Sequence, residues 1–197
     1  PLQDILKDRY LTDESALFDF INSSIDLNCF DKNSSDILDT ATIFYLKKYD
    51  DISLEFLVNL HQLNDFRRIN EYFIEVNRIL KYGAVFVSCG QILEERSNEI
   101  KQKYIKVLAY PILFFDFIFN RVFPKLDILK GIYFSITEGK NRPISRCEIL
   151  GRLYYCGFEI IATREIDNHL FFVAVKKKEP DTNPDPSYGP LYKKRAI

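Results

Sequence analysis

The sequence predicts an α/β domain with a mostly parallel β-sheet that closes in an antiparallel hairpin. Two apolar segments, residues 55–60 and 84–89, are joined by a segment with helical periodicity. Parallel neighbouring strands need a crossover connection of this kind. Near the other end, Asp167 and Asn168 separate two further strand-like segments, which predicts a two-residue hairpin turn. Together these observations favour a Rossmann-like sheet.

The composition is typical of a cytosolic globular domain. A chain of 197 residues with 47% hydrophobic residues can bury a core without metal or disulfides. The formal net charge of -1 argues against a nucleic-acid binder. Four cysteines without a C-x-x-C pair predict free thiols in a reducing compartment and no metal site. Since the sequence contains no methionine, we expect that Pro1 is not the native start.

The amino-terminal part predicts a helix, a loop and a strand. Residues 10–21 carry helical apolar spacing, and Thr12 or Asp13 can cap the first turn. Residues 31–36 are rich in Ser, Asp and Asn, so we expect a loop there. Residues 41–46 are β-branched and aromatic, which predicts a buried strand.

The centre of the chain predicts a βαβ unit. Residues 66–82 place apolar side chains at spacings of three and four, as on one face of a helix. Asp65 is placed to cap this helix, and Gly83 is expected to end it in the left-handed conformation. The strands on either side then run parallel, with a right-handed crossover between them.

A helical segment follows the second parallel strand. Residues 91–106 are charged, whereas residues 107–123 are apolar almost all round. A membrane-spanning helix needs about 20 apolar residues. This segment is interrupted by Pro111, Asp116, Asn120 and Arg121. We expect it to be buried against the sheet or in a dimer. The alternative is an interfacial helix that touches a membrane, or a lid over a ligand.

The carboxyl-terminal part predicts one helix and the hairpin. Ser145 and Glu148 have the spacing of a capping box for a helix over 146–156, which Gly157 would end. Strands FEIIATREI and HLFFVAVKK follow. Residues 177–190 hold four prolines and predict an extended linker.

One resemblance covers residues 40–176. Residues Arg78 to Gly83, read R-I-L-K-Y-G, resemble the "R-x-L-K-x-G-G" step by which a helix of class I methyltransferases enters the next strand, with Ala84 replacing the second Gly. LGRLYYCGFEII is similar to the late "L-x-x-x-G-F" step of that family. The resemblance implies a class I methyltransferase-like domain over residues 1–176.

The chain departs from that family at the cofactor loop. Adenosylmethionine-binding domains carry a Gly-rich turn after the first strand, where the backbone approaches the cofactor closely. Residues 1–82 contain no glycine. The loop is therefore degenerate, or it lies upstream of Pro1. We expect a degenerate, non-catalytic module without a cofactor; the alternative is an active S-adenosylmethionine-dependent methyltransferase.

A second resemblance concerns residues 181–197. Gly189-Pro190-Leu191-Tyr192-Lys193, with Arg195 close behind, is similar to the segment that leads into the catalytic domain of bacterial polyprenyl-phosphate glycosylphosphotransferases. NLHQLNDFRRINEYF also resembles the amino-terminal region of these sugar transferases. The resemblance implies that residues 177–197 link this domain to a sugar transferase domain beyond Ile197. It also implies a role in surface polysaccharide synthesis at the inner face of the cell membrane.

Polar residues that follow the two central strands form a candidate ligand site. Ligands of open α/β sheets bind at the carboxyl ends of the strands. Arg68 could hold a phosphate or a nucleotide sugar in a bidentate manner, and His61 could act as a base. The alternative is that these residues are caps, solvated charges and loop packing. The candidate residues are Asn59, His61, Asn64, Asp65, Arg68 and Ser88.

Other candidate sites are weaker. The basic loop GKNRP at 139–143 lacks the Lys-Ser/Thr ending of a phosphate-binding loop, so we interpret it as a surface turn. No catalytic nucleophile and no metal ligands can be assigned. A third functional hypothesis is a dimerisation or interaction domain that docks through residues 107–123.

Overall fold

The computed structural model describes residues 2–11, 15–123, 126–138, 140, 142 and 144–180. Its centre is one five-stranded sheet with the strand order β1-β2-β3-β5-β4. Strands β1, β2 and β3 are parallel, whereas β5 runs antiparallel to both β3 and β4. This confirms the predicted Rossmann-like sheet with a carboxyl-terminal antiparallel hairpin. The strands are β1 (Ser35–Leu38), β2 (Leu54–Gln62), β3 (Leu80–Gly90), β4 (Phe158–Ile166) and β5 (His169–Lys176).

Helices flank both faces of the sheet. The α-helices are α1 (Leu2–Ile5), α2 (Ser15–Ser24), α3 (Ile69–Ile79), α4 (Leu93–Lys103), α5 (Lys106–Phe117), α6 (Asp127–Thr137) and α7 (Arg146–Tyr155). Short 3-10 turns occupy Leu27–Cys29, Lys32–Ser34, Ile43–Lys48 and Leu63–Asp65, and π-helical turns occupy Leu6–Tyr10 and Ile118–Val122.

Each face of the sheet has its own apolar core. Helices α3 and α7 pack on one face around Phe86, whose ring lies 5.8 Å from that of Phe158 and 5.6 Å from that of Phe172. Helices α1 and α2 pack on the other face, over Val58 and Val87. Because both faces are covered, the central strands β2, β3 and β5 bury successive residues rather than alternate ones, whereas the edge strands β1 and β4 do not.

The first strand lies earlier than predicted. The strand expected over 41–46 is wrong: Ile43–Lys48 is a 3-10 helix, and β1 lies within and beyond the predicted loop 31–36. The Thr42 hydroxyl accepts a hydrogen bond from the Phe44 N–H, and this local cap favours a turn over an extended chain. Phe44 is 76% exposed, so β-propensity gains no packing here.

The βαβ unit is confirmed, but its helix is shorter than predicted. Helix α3 begins at Ile69 and Leu80 already belongs to β3, because Leu80 pairs with Leu54 in the sheet. The prediction that Asp65 caps this helix is wrong, since Asp65 ends the 3-10 turn that precedes Arg68, the N-cap position. Gly83 does adopt a left-handed φ of 80°, but within an irregularity of β3 rather than at a helix end.

The carboxyl-terminal elements agree with the sequence. The Ser145 hydroxyl accepts a hydrogen bond from the Glu148 N–H at 3.3 Å and so caps α7. Gly157 closes the helix with a φ of 92°. Asp167 and Asn168 both have positive φ values, as a two-residue hairpin turn requires.

The apolar segment 107–123 is not packed against the sheet. It forms α5 and the following π-helical turn, and Ala109 is the residue of α5 that is buried. The predicted burial against the sheet is therefore wrong. None of the helices in the described ranges combines the length and the apolar character that crossing a membrane requires.

Three predictions fall on residues that the structure does not describe. The proposed helix caps Thr12 and Asp13 lie outside the described residues, although the helix itself is observed as α2. The same holds for most of the linker and for the whole sugar-transferase-like segment 189–195. Lys177 and Lys178, at the start of that linker, donate backbone hydrogen bonds to the Gly157 carbonyl.

Candidate ligand-binding site

A groove lies at the sheet edge where the parallel strands end. It has a volume of about 610 Å³ and is bounded by the start of α2, the end of β2 and the β4–β5 turn. Small-molecule sites commonly occupy about 300–1,000 Å³. The groove therefore has both the position and the size of a ligand site in an open α/β sheet.

His61 is held on the groove wall between two carboxylates. Its Nδ1 lies 3.0 Å from Asp39 Oδ1, and its Nε2 lies 3.0 Å from Asp65 Oδ2. Asp65 also accepts a hydrogen bond from the Gln62 amide at 3.0 Å. A neutral imidazole has one N–H, whereas an imidazolium can donate to both carboxylates. Both ring nitrogens are thus engaged within the protein.

The groove is acidic. Three carboxylate residues line it, Asp39, Asp65 and Asp167, together with both histidines of the chain, His61 and His169. Among the described residues that line the groove, none is Lys or Arg. As far as the described residues go, no group of three His, Cys, Asp or Glu side chains could hold a metal ion. The charge of this surface favours a cationic ligand.

Asn59 fixes the loop that follows β1. Its Oδ1 accepts from the Thr40 N–H at 3.2 Å, and its Nδ2 donates to the Thr40 carbonyl at 3.0 Å and to the Tyr72 hydroxyl at 2.8 Å. Burial raises the pKa of the Tyr72 phenol well above its usual value, so this hydroxyl stays protonated. Asn59 is completely buried and acts on the loop rather than on a ligand.

The loop after β1 does not provide the backbone contacts that a Gly-rich turn makes with a cofactor. It runs through Asp39, Thr40, Ala41 and Thr42 without a glycine. Besides the Thr40 N–H, the Thr42 N–H is also engaged, with the Thr40 hydroxyl at 3.2 Å. Since these N–H groups are satisfied within the chain, they are not offered to a cofactor.

Two further candidate residues, Asn64 and Arg68, contact other parts of the chain rather than the groove. Asn64 is 2% exposed and is bonded to the backbone of Gln91 and Arg142, so it does not face the groove. Arg68 is exposed and pairs with Glu71 at 3.0 Å, beside a different surface cleft. Of the six candidate residues, the structure brings His61 and Asp65 together in the groove.

Ser88 is buried in β3, and its hydroxyl has no hydrogen-bond partner among the described residues. We expect Ser88→Ala to leave the free energy of unfolding unchanged or to raise it by up to ~1 kcal/mol, because it removes an unpaired buried polar group. Urea denaturation measures this. A loss of stability beyond ~1 kcal/mol would contradict the prediction and would indicate a hydrogen bond to this hydroxyl.

The groove also contains residues that the sequence did not single out. Asp39 directly follows β1, so correct placement of that strand would have pointed to it. Asp167 lies in the hairpin turn and His169 follows it, and only the pairing of β5 with β3 brings that turn to the groove.

The basic loop GKNRP makes internal contacts. Gly139, Asn141 and Pro143 lie outside the described residues. Arg142 donates to the Arg67 carbonyl at 3.1 Å, and Lys140 pairs with Glu138. These contacts support the interpretation of a surface turn.

No family model and no curated protein matches the chain. It is similar in structure to a Bordetella parapertussis protein described as a "possible exported protein", with 13% identity, a TM-score of 0.40, and 68% of this chain and 42% of that one covered. It is also similar to a SAM-dependent methyltransferase of Thermotoga maritima, with 14% identity and a TM-score of 0.39, and the match covers 66% of this chain and 58% of that one. With a SAM-dependent methyltransferase of Methanosarcina mazei it shares 16% identity and a TM-score of 0.39, and the match covers 71% of this chain and 65% of that one.

The chain thus spans less than two thirds of each of these three proteins, namely 42%, 58% and 65% of their lengths. Two of the three are described as SAM-dependent methyltransferases. None of these comparisons links the chain to sugar transferases. The fold assignment rests on the strand order and the hairpin of the chain itself.

Proposed function

We propose that this chain is a methyltransferase-like domain that binds S-adenosylmethionine, or a closely related cationic nucleoside, in the acidic groove. The observation that carries the proposal is the pair Asp39 and Asp65 on either side of His61 at the carboxyl edge of the parallel strands. S-adenosylmethionine carries a sulfonium and an ammonium group. Carboxylates at this edge would stabilise both positive charges.

The proposed binding mode relies on side-chain charge rather than on a backbone turn. The Thr40 N–H is engaged by Asn59, so the loop after β1 cannot supply it. A carboxylate has two oxygens and about four acceptor positions. Asp39 can therefore hold His61 through Oδ1 and meet a ligand through Oδ2, and its side chain is 71% exposed.

We infer a binding role without methyl transfer. A histidine that acts as a general base must present a ring nitrogen within hydrogen-bond reach of the proton it removes. His61 has both ring nitrogens engaged by carboxylates, which supports positioning rather than proton abstraction. The assay for this inference is conversion of S-adenosylmethionine to S-adenosylhomocysteine by the purified chain with cell extract as the source of acceptors. Enzyme-dependent turnover would contradict it and favour the active methyltransferase.

Asp39→Asn should weaken S-adenosylmethionine binding about fivefold, because it removes one partly exposed ion pair worth about 1 kcal/mol. Calorimetric titration measures the dissociation constant. The wild-type chain should also prefer S-adenosylmethionine over S-adenosylhomocysteine, whose thioether is neutral. In the variant this preference should shrink.

Asp50→Asn is the matched control, since Asp50 is exposed and lies before β2, at the opposite end of the strands. Its affinity for S-adenosylmethionine should equal that of the wild type. No heat up to millimolar S-adenosylmethionine, or equal affinity for both ligands, would contradict the proposed site.

The connection to a sugar transferase stays a prediction. The prediction includes a nucleotide-sugar ligand, a role in surface polysaccharide synthesis and a partner domain beyond Ile197. It is based on the sequence of residues 189–195.

A further inference from the structure

We propose that the segment α4–α5 binds the surface of an anionic lipid membrane. Helix α5 and the residue before it expose a continuous set of large apolar side chains, each 52% to 80% exposed. Soluble proteins rarely expose contiguous apolar surface of this extent without a function for it. This apolar surface consists of Ile105, Val107, Leu108, Tyr110, Phe114, Phe115 and Phe117.

Helix α5 differs from an ordinary surface helix because it exposes large apolar side chains. At about 100° per residue, the exposed apolar side chains of α5 itself, without Ile105, lie within one half of the helix circumference. The opposite half holds the buried Ala109 and the half-buried Ile112 and Leu113. It also holds Asp116, which accepts a hydrogen bond from Arg96 of α4 at 2.7 Å. A helix on a water-exposed surface normally turns its polar residues outward. Here the large aromatic and aliphatic side chains face outward, and the acidic residue Asp116 is paired with α4.

Basic residues lie beside the apolar surface. Lys101 and Lys103 occupy the last turn of α4, Lys106 begins α5, and all three are exposed. Of the acidic residues of α4, Glu94 and Glu95 are in its first turn, at the other end of that helix. Glu99 lies nearer the lysines, but its carboxylate accepts hydrogen bonds from the side chains of Gln91 and Asn168. Lysines next to exposed aromatic and aliphatic residues are typical of helices that lie in the interface of an anionic bilayer.

This charge distribution distinguishes a lipid surface from a second copy of the chain. In a two-fold dimer the same surface faces itself, so an axis near Lys101–Lys106 would bring like charges together. An anionic bilayer complements the lysines and accepts the whole exposed half of α5 at once. Tyr110 and the phenylalanines suit the boundary between headgroups and acyl chains.

Flotation of the full chain with vesicles tests the proposal. The chain should float with phosphatidylcholine vesicles that contain about one third phosphatidylglycerol, and much less with pure phosphatidylcholine. The bound fraction should fall as salt is raised, because salt screens the lysines. Replacing Phe114 and Phe115 together by Ser should lower the partition constant at least about tenfold. Lys101→Gln and Lys103→Gln should each lower it about fivefold.

Phe44→Ser is the matched control, since Phe44 is 76% exposed but lies on the 3-10 helix after β1. It should float like the wild type, and all variants should keep the wild-type melting temperature because the changed side chains are exposed. Three results would overturn the proposal: no flotation with either vesicle, flotation that the Phe114 and Phe115 changes leave intact, or a dimer in sedimentation that those changes dissociate. The lysine variants give an independent test if the double variant unfolds.

Discussion

Gly157→Ala should lower the free energy of unfolding by about 3 kcal/mol or more. Gly157 has a φ of 92°, a conformation that residues with a Cβ rarely adopt. A Cβ at this position would lie 2.1 Å from the carbonyl oxygen of Lys178 and 2.7 Å from Nδ2 of Asn77. The Lys178 atom belongs to the backbone, so the chain after β5 would have to move.

The displaced contacts hold the end of the sheet. The N–H groups of Lys177 and Lys178 donate to the Gly157 carbonyl, and the Asn77 amide donates to the carbonyls of Cys156 and Lys178. Urea denaturation followed by circular dichroism measures the loss. Gly151→Ala is the matched control, because Gly151 lies inside α7 with nothing within 4 Å of the new Cβ. It should stabilise the chain by up to ~1 kcal/mol. Equal stability of the two variants would contradict the prediction.

Asn64→Ala should destabilise the fold by about 2–4 kcal/mol, because it leaves several buried polar groups without partners. Asn64 Nδ2 donates to the carbonyls of Gln91 at 2.8 Å and Arg142 at 2.7 Å, and Oδ1 accepts from the Gln91 N–H at 2.7 Å. One side chain thus joins the end of β2 to the end of β3 and to the segment before α7. Urea denaturation monitored by fluorescence of the tyrosines measures the change.

Two further variants sharpen this test. Asn64→Asp keeps the shape but places a carboxylate oxygen against two carbonyls, so it should be at least as destabilising as alanine. Asn98→Ala is the control, because Asn98 is exposed on α4, and it should change stability by no more than about 0.5 kcal/mol. Wild-type stability of Asn64→Ala would show that these contacts contribute little.

The parts of the fold that local chemistry determines could be predicted from the sequence. The hairpin follows from Asp167 and Asn168, which tolerate positive φ, and helix α7 follows from its Ser145 cap. The first strand could not be placed, because β-propensity over 41–46 competes with a local Thr42 cap. Whether these residues form a strand or a capped turn depends on packing with β2, and the local sequence pattern does not show that contact.

The residues that line the groove were predicted in part, for a related reason. Polar residues at strand ends indicate the edge of the sheet at which the groove lies, and His61 and Asp65 do line that groove. Residue type alone does not separate a ligand contact from a structural one, so the buried Asn59 and Asn64 were included as well. His169 was missed because its place depends on the pairing of β5 with β3, which is distant in the sequence.

The bond between Asn59 and the loop after β1 has a consequence for how this edge can change over evolutionary time. A Gly-rich turn recognises its ligand with the same backbone that folds the domain, so changing specificity there disturbs folding. In this chain the side-chain amide of Asn59 holds the loop through Thr40. The charge at the groove comes from side chains such as the mostly exposed Asp39. Under the proposed function, ligand preference at the groove would be separable from the architecture that presents it, and single substitutions of its exposed carboxylates should alter that preference while the sheet stays as it is.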